Sequence, residues 1–242
     1  MNVSDPEFQT GRMELPNDEV HLWLVDLAQV GRAENRWRQM LSGDEQARAD
    51  RYRFARDRQG FTATRGVLRT ILAGYMGGDP KDLIFRYTDK DKPFLEPGPS
   101  GRDVEFNVSH SGDVALLGFA RKRKLGVDVE KVRVDFDPEE IASRFFSEQE
   151  RRELAELSQA ERFTGFFRCW TRKEAYIKAE GTGLSLALDQ FDVSLRPNDR
   201  DALLATRPDK DEASRWSLRE VAAGDGYVGA VCVWGTGWRL KH

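Results

Sequence analysis

Val20, Leu22 and Leu24 interleave with His21, Trp23 and Val25 near the start of the chain. That alternation predicts an early, largely buried strand. Ser42 and Glu45 stand at capping-box spacing, so a helix is predicted to start there and run toward Phe54. Phe54, Phe61, Leu68, Ile71, Leu72 and Tyr75 then keep one face apolar at helical spacing, with room for a bend near Arg56 and Asp57. Gly77, Gly78 and Pro80 end that region. Residues 89–102, rich in Pro, Gly and charge, read as an exposed loop. Val104, Phe106 and Val108 alternate inward, residues 114–120 are apolar on both faces, and Leu125, Val127 and Val129 alternate again. With turns at 111–113 and 121–124, these three strands predict an antiparallel meander. Ser147 and Glu150 repeat the capping box, and Phe163, Phe166, Phe167, Trp170 and Ile177 stripe a helix that ends before Gly181. The remainder is strand-like at 191–195, 216–218 and 227–234, and the charged stretch 196–215 reads as a surface loop. Helices and strands are segregated rather than alternating, which predicts an α+β fold.

Composition narrows the class. The 242 residues suit one large domain or two small ones, and 39% hydrophobic with 33% charged positions describes a globular chain. The longest apolar run falls far short of the ~20 residues that span a bilayer. The first ten residues, MNVSDPEFQT, have neither a basic start nor an apolar stretch, so a cytoplasmic protein is expected. Two cysteines, Cys169 and Cys232, make no disulfide framework, and with three histidines they are too few for a zinc cluster. A metal here would be held mainly by carboxylates, which points to a hard ion such as magnesium. A net charge of −3 opposes a globally basic nucleic-acid binder. Gly224, Gly226 and Gly229 fit a dinucleotide-binding pattern, but a strand-like run follows them where that motif needs a helix.

Four constellations carry candidate chemistry. In Gly126-Val127-Asp128-Val129-Glu130 the two acids lie two apart, hence on one side of a strand, with the valines packing inward. The bland alternative is the solvated face of a half-buried sheet. In Trp170-Thr171-Arg172-Lys173-Glu174-Ala175-Tyr176-Ile177-Lys178, Glu174 and Lys178 are helical neighbours. As a mere surface ion pair they would be worth about 0.3–0.5 kcal/mol. Phe106-Asn107-Val108-Ser109-His110-Ser111 is a strand ending in hydroxyls, or simply a turn satisfying its own backbone. Arginines crowd residues 48–69; Arg51, Arg58 and Arg65 recur every seven residues, as on a solvated helix face, while a subset could hold phosphates.

Taken in order, Lys92-Pro93, FNVSHS (106–111), GVDVE (126–130), RFFS (144–147) and WTRKEAYIK followed by EGTGLSL resemble the 4'-phosphopantetheinyl transferases, specifically the surfactin-synthetase-activating type. The resemblance spans residues 41–188. It implies two similar α+β halves related by a pseudo-twofold, with the active site between them: residues 1–121 for nucleotide contacts, and 122–242 for the magnesium site and carrier docking. It also implies the reaction. A serine hydroxyl of an apo acyl or peptidyl carrier protein attacks the β-phosphate of coenzyme A, phosphopantetheine is transferred, and 3',5'-ADP leaves. By motif, Asp128, Glu130 and Glu174 would be magnesium ligands. Glu174 and Lys178 would be catalytic, and Lys92, Pro93, Ser109, His110, Arg48 and Arg56 would contact coenzyme A. A monomer acting on small-molecule and carrier partners, away from nucleic acid and membrane, is the corresponding expectation.

Elementary electrostatics agrees with the acidic set. Two carboxylates about 4 Å apart repel by roughly 4 kcal/mol at an effective dielectric near 20, and a third worsens this unless a cation sits among them. Whether Glu174 is ligand, base or both stays open at this point. Residues 131–145 mix Val132, Val134, Phe136 and Ile141 with Arg133 and Arg144, an apolar and basic surface suited to an acidic carrier. The alternatives are a non-catalytic carrier-protein or nucleotide-binding module on the same fold, and a Ser/His/Asp hydrolase built on Ser109 or Ser111, His110 and Asp128. Adjacent residues on an extended chain point to opposite faces, which makes that hydrolase geometry awkward.

Overall fold

The structure is a computed structural model that describes residues 1–90, 92–96, 103–181, 183, 186–199 and 202–242. A two-residue strand, an eight-residue strand and two short helices frame the start of the chain: β1 (Asn2–Val3), β2 (Glu19–Asp26), α1 (Leu27–Val30) and α2 (Glu34–Gln39). The Ser42 capping box opens α3 (Gly43–Asp50), with Glu45 closing it as the spacing predicts. The helical region does not run on unbroken, because residues 51–54 separate α3 from α4 (Ala55–Met76).

The loop expected at 89–102 is partly a hairpin, in which β3 (Phe85–Tyr87) pairs with β4 (Pro93–Leu95). Residues 91 and 97–102 lie outside the described residues. β5 (Val104–Ser111) and β6 (Val114–Arg121) form the expected antiparallel pair around Gly112, whose φ of 58° suits a residue without a side chain. The third strand, β7 (Leu125–Lys131), does not complete the meander. β6 already has β5 on one edge and β2 on the other, so no edge is left for it.

α5 (Pro138–Phe145), α6 (Glu148–Glu156) and α7 (Gln159–Glu180) follow, and α7 ends at a left-handed Gly181 as predicted. The stretch read as a surface loop contains a strand. β8 (Phe191–Val193) pairs with β9 (Leu203–Thr206) across a bulge, so 196–215 is loop only in part. β10 (Trp216–Val221), β11 (Tyr227–Trp234) and β7 make a second, antiparallel sheet in the order β10-β11-β7. β12 (Arg239–Lys241) returns to pair parallel with β2.

The alternation along each strand explains the layering. Trp23, Val25, Leu117 and Phe119 face α4, where they meet Leu68 and Ile71. Their neighbours Val20, Leu22 and Leu116 face the second sheet, meeting Val127, Val129 and Val231. The opposite face of that sheet carries Ala230 and Cys232 against Ala175 and Ala179 of α7. The order of layers is therefore α4, first sheet, second sheet, α7, a mixed α+β architecture. Among the described residues no helix is long and apolar enough to cross a membrane.

Candidate functional site

The site forms where two sheet edges meet. β5 is the last strand of the first sheet and β7 the last of the second. Val127 and Val129 point into the middle layer, so strand alternation turns Asp128 and Glu130 toward α7. Gly126 fixes how near that helix comes: a Cβ there would lie 2.2 Å from the Ala175 carbonyl oxygen and 2.4 Å from the Ala179 nitrogen. Any side chain at this position would push Glu174 and Lys178 away from the strand.

Across this contact the Lys178 ammonium lies 2.6 Å from Asp128 Oδ1 and also donates to Ser109 Oγ at 3.1 Å. Ser109 in turn donates to the same Oδ1 at 2.7 Å, and Ser111 donates to Glu130 Oε2 at 2.6 Å. Asp128 is 3% exposed, and its Oδ2 is buried with no hydrogen-bond partner among the described residues. Burial pushes the Glu130 carboxyl above its ordinary range, the Ser111 hydrogen bond opposes this, and the Asp128 charge adds to it. Glu174 is likewise raised by burial, then lowered by Lys178 and raised by Asp128 and Glu130. Neither bland alternative fits: the strand acids face a helix rather than water, and Lys178 bonds to Asp128 rather than to Glu174.

The other predicted positions divide into two groups. Lys92, Pro93, Glu174 and Lys178 share a cleft of about 240 Å³, together with Asn107. Within it the Lys92 ammonium donates to the Lys178 carbonyl at 2.7 Å, and burial lowers its pKa. Arg48, Arg56 and His110 are exposed and are not among that cleft's described lining. Arg48 sits over the Phe61 ring at 5.3 Å, and Arg56 pairs with Asp113 at 2.7 Å. Arg65 departs from the solvated-face reading: it and Arg69 are buried against Glu45 at 3.2 and 2.7 Å. Larger hollows of about 650 and 760 Å³ lie against α4 and carry none of the three acids.

With this geometry in place, comparison with known proteins decides the family. Residues 124–232 match the model of the 4'-phosphopantetheinyl transferase superfamily, and residues 33–121 match that of the 4'-phosphopantetheinyl transferase N-terminal region. The chain is 40% identical to the 4'-phosphopantetheinyl transferase HetI of Nostoc sp. over 95% of its own length and 93% of that protein's. The chain belongs to the 4'-phosphopantetheinyl transferase superfamily. It is also 32% identical to the 4'-phosphopantetheinyl transferase Sfp of Bacillus subtilis, covering 69% of this chain and 70% of that one. A putative 4'-phosphopantetheinyl transferase of Synechocystis is 35% identical over 74% and 71%. Membership makes this chain a transferase enzyme.

The family's chemistry invites a test of whether these residues suit a metal ion. Among the described residues no three His, Cys, Asp or Glu side chains stand already closed around one. The donors are hard carboxylate oxygens, one of them buried and without a hydrogen-bond partner among the described residues, and beyond burial the Asp128 charge helps to raise both the Glu130 and Glu174 carboxyls. Magnesium is commonly held by one or two carboxylates with water and substrate phosphates completing its shell. An open acidic set fits that pattern better than it fits a caged structural ion.

Sequence reasoning missed Asn107 and Ser111 as members of the site, although their spacing with Ser109 at every second residue was a readable signal. Lys173, within the same helical motif, lies outside the site, buried 2.7 Å from Glu150.

Proposed function

We propose that the seam between β5, β7 and α7 is where phosphopantetheine passes from coenzyme A to a serine hydroxyl of an apo carrier protein. In this reaction the serine oxygen bonds to the β-phosphorus, the bond to the nucleotide's α-phosphate oxygen breaks, and 3',5'-ADP leaves. The observation that carries the reading is Asp128: buried, held through one oxygen by Lys178 and Ser109, with the other lacking a hydrogen-bond partner among the described residues. Asp128, Glu130 and Glu174 would hold magnesium. That ion would neutralise charge on the pyrophosphate oxygens when bound.

The chain's own groups supply the rest. Lys178 stands in the cleft with an ammonium able to offset charge on the departing phosphate. Glu174 has no hydrogen-bond partner among the described residues and is pushed toward a higher pKa, which suits it to take the serine proton as well as to contribute an oxygen ligand. Lys92 and Pro93 are the coenzyme A contacts this cleft favours, and Ser109, outside its described lining, is proposed beside them through its bond to Lys178. Arg48, Arg56 and His110, exposed outside it, are proposed at the nucleotide end of a longer ligand.

The two halves, 1–121 and 122–242, are proposed as pseudo-twofold copies. Support comes from one 22-residue helix over each sheet, α4 and α7. Carrier docking is proposed on 131–145, where Val134 is 71% and Phe145 41% exposed. Phe136 instead packs into the core against Phe166. Cytoplasmic, monomeric action is the setting proposed for this chemistry, in keeping with two buried free thiols.

The test is intact-mass spectrometry of a panel of apo carrier proteins incubated with the protein, coenzyme A and magnesium. A phosphopantetheine adduct on the carrier serine is expected. No adduct on any carrier would leave a non-catalytic binding module as the reading.

A further inference from the structure

β7 has one edge paired with β11, while the edge toward β5 has no backbone ladder. Among the described residues, two of its amide groups on that edge are met by side chains instead. Val127 N–H donates to Asn107 Oδ1 at 2.9 Å, and Lys131 N–H donates to Ser111 Oγ at 3.1 Å. Asn107, Ser109 and Ser111 lie two apart on β5, so they share one face and replace the missing ladder.

The hydroxyls do more than close the seam. Ser109 accepts from Lys178 Nζ and donates to Asp128 Oδ1. Ser111 accepts from Lys131 N and donates to Glu130 Oε2. A serine has a single hydrogen to give, so an N–H bound at the oxygen leaves that hydrogen committed to the carboxylate. The same relay, nitrogen to hydroxyl to carboxylate, thus occurs twice at a spacing of two residues. Each relay holds one oxygen of an acid and leaves the other unassigned, and in Asp128 that other oxygen is the buried, partnerless one.

We infer that the polar face of β5 is the positioning device for the acidic pair, and that Ser111 is the positioning residue for Glu130. This rests on the reading of Asp128 and Glu130 as cation ligands. Glu130 has three side-chain torsions to fix, and among the described residues Ser111 is its hydrogen-bond partner. Outer groups that orient a metal-binding carboxylate are typically worth 10–100-fold in metal affinity or activity.

The experiment titrates Mn²⁺ alone into wild type, Ser111→Ala and Ser111→Thr, reading free Mn²⁺ by electron paramagnetic resonance. Thermal unfolding and the metal dependence of carrier modification are measured in parallel. Ser111→Ala is expected to weaken Mn²⁺ binding about 10-fold or more and to raise the metal concentration for half-maximal activity similarly, with KM for the carrier unchanged. Ser111→Thr keeps the hydroxyl and is expected to restore both to within about threefold of wild type. Wild-type Mn²⁺ affinity in Ser111→Ala, or no Mn²⁺ binding by the wild type, overturns the inference. A wild type that binds Mn²⁺ through Ser111 yet modifies no carrier would instead sink the transferase reading and leave this one standing.

Discussion

Helix α7 carries two lysine–carboxylate centres five residues apart, and they differ in how completely they are satisfied. Lys173 donates to Glu150 Oε1, the Leu188 carbonyl and the Phe191 carbonyl, each at 2.7 Å. Glu150 also accepts from Val193 N at 2.7 Å and from Ser147 N at 2.8 Å, and both side chains are fully buried. Three ammonium hydrogens meet three acceptors, so nothing is left for a ligand. Lys178 is 29% exposed, its partner Asp128 has an oxygen without a bond, and Glu174 has no hydrogen-bond partner among the described residues. A closed network fixes a fold, whereas an open one keeps electrostatic capacity for a substrate.

That contrast makes opposite demands on the two lysines. Lys178→Ala is expected to lower kcat by about 10²–10⁴-fold, the range for electrostatic or acid–base groups. Read as a surface ion pair the motif would cost about 0.3–0.5 kcal/mol on truncation, whereas the Asp128 contact makes the cost about 1–2 kcal/mol for a carboxylate left with fewer donors. Lys178→Arg should rescue poorly, because a planar guanidinium does not replace a point charge. An unchanged kcat in Lys178→Ala would erase the difference between the centres.

Lys173→Met should act in the opposite sense. It leaves Glu150 buried and unpaired, and is expected to cost about 3–5 kcal/mol in urea unfolding. Turnover per folded molecule should stay near wild type. Loss of kcat in a fully folded Lys173→Met protein would mean the closed centre also serves the reaction.

A smaller effect follows from pH. Glu130 and Glu174 are held above their ordinary value of 4.5 in the folded chain, chiefly by burial. Just above that value the folded protein keeps more protons than the unfolded one, so stability falls as pH rises through the folded pKa values. Glu174→Gln removes one contributor and should flatten the fall of Tm between mildly acidic and neutral pH. Glu150, also raised by burial, contributes to both proteins alike. An identical slope in the two would show that Glu174 is not strained by its surroundings.

Much of the local structure was legible because its causes are local. The Ser42 and Ser147 capping boxes, the β2 alternation and the Gly181 stop each depend on residues within one turn or strand. Partnership was not legible. β7 reads as a strand from its own alternation, but its partner β11 lies about a hundred residues later, and nothing nearby showed that β6 was already flanked. The seven-residue recurrence of Arg51, Arg58 and Arg65 shows that they share a face without saying what covers it. Glu45, whose Oε2 closes the Ser42 capping box and also meets Arg69, proved to be the buried partner of both Arg65 and Arg69. Within the site, the motif set indicated Asp128, Glu130, Glu174 and Lys178, whereas the β5 relay emerged only once β5 and β7 were seen edge to edge.

The most direct test of the central claim follows transfer onto one apo carrier protein by intact mass, comparing wild type with Asp128→Asn. The wild type is expected to add phosphopantetheine in the presence of coenzyme A and magnesium and to stop when EDTA is added. Asp128→Asn should remain folded and transfer nothing measurable. Transfer by Asp128→Asn at the wild-type rate, or persistence of wild-type transfer in EDTA, would contradict the assignment of the β5–β7–α7 seam as a metal-dependent transferase site.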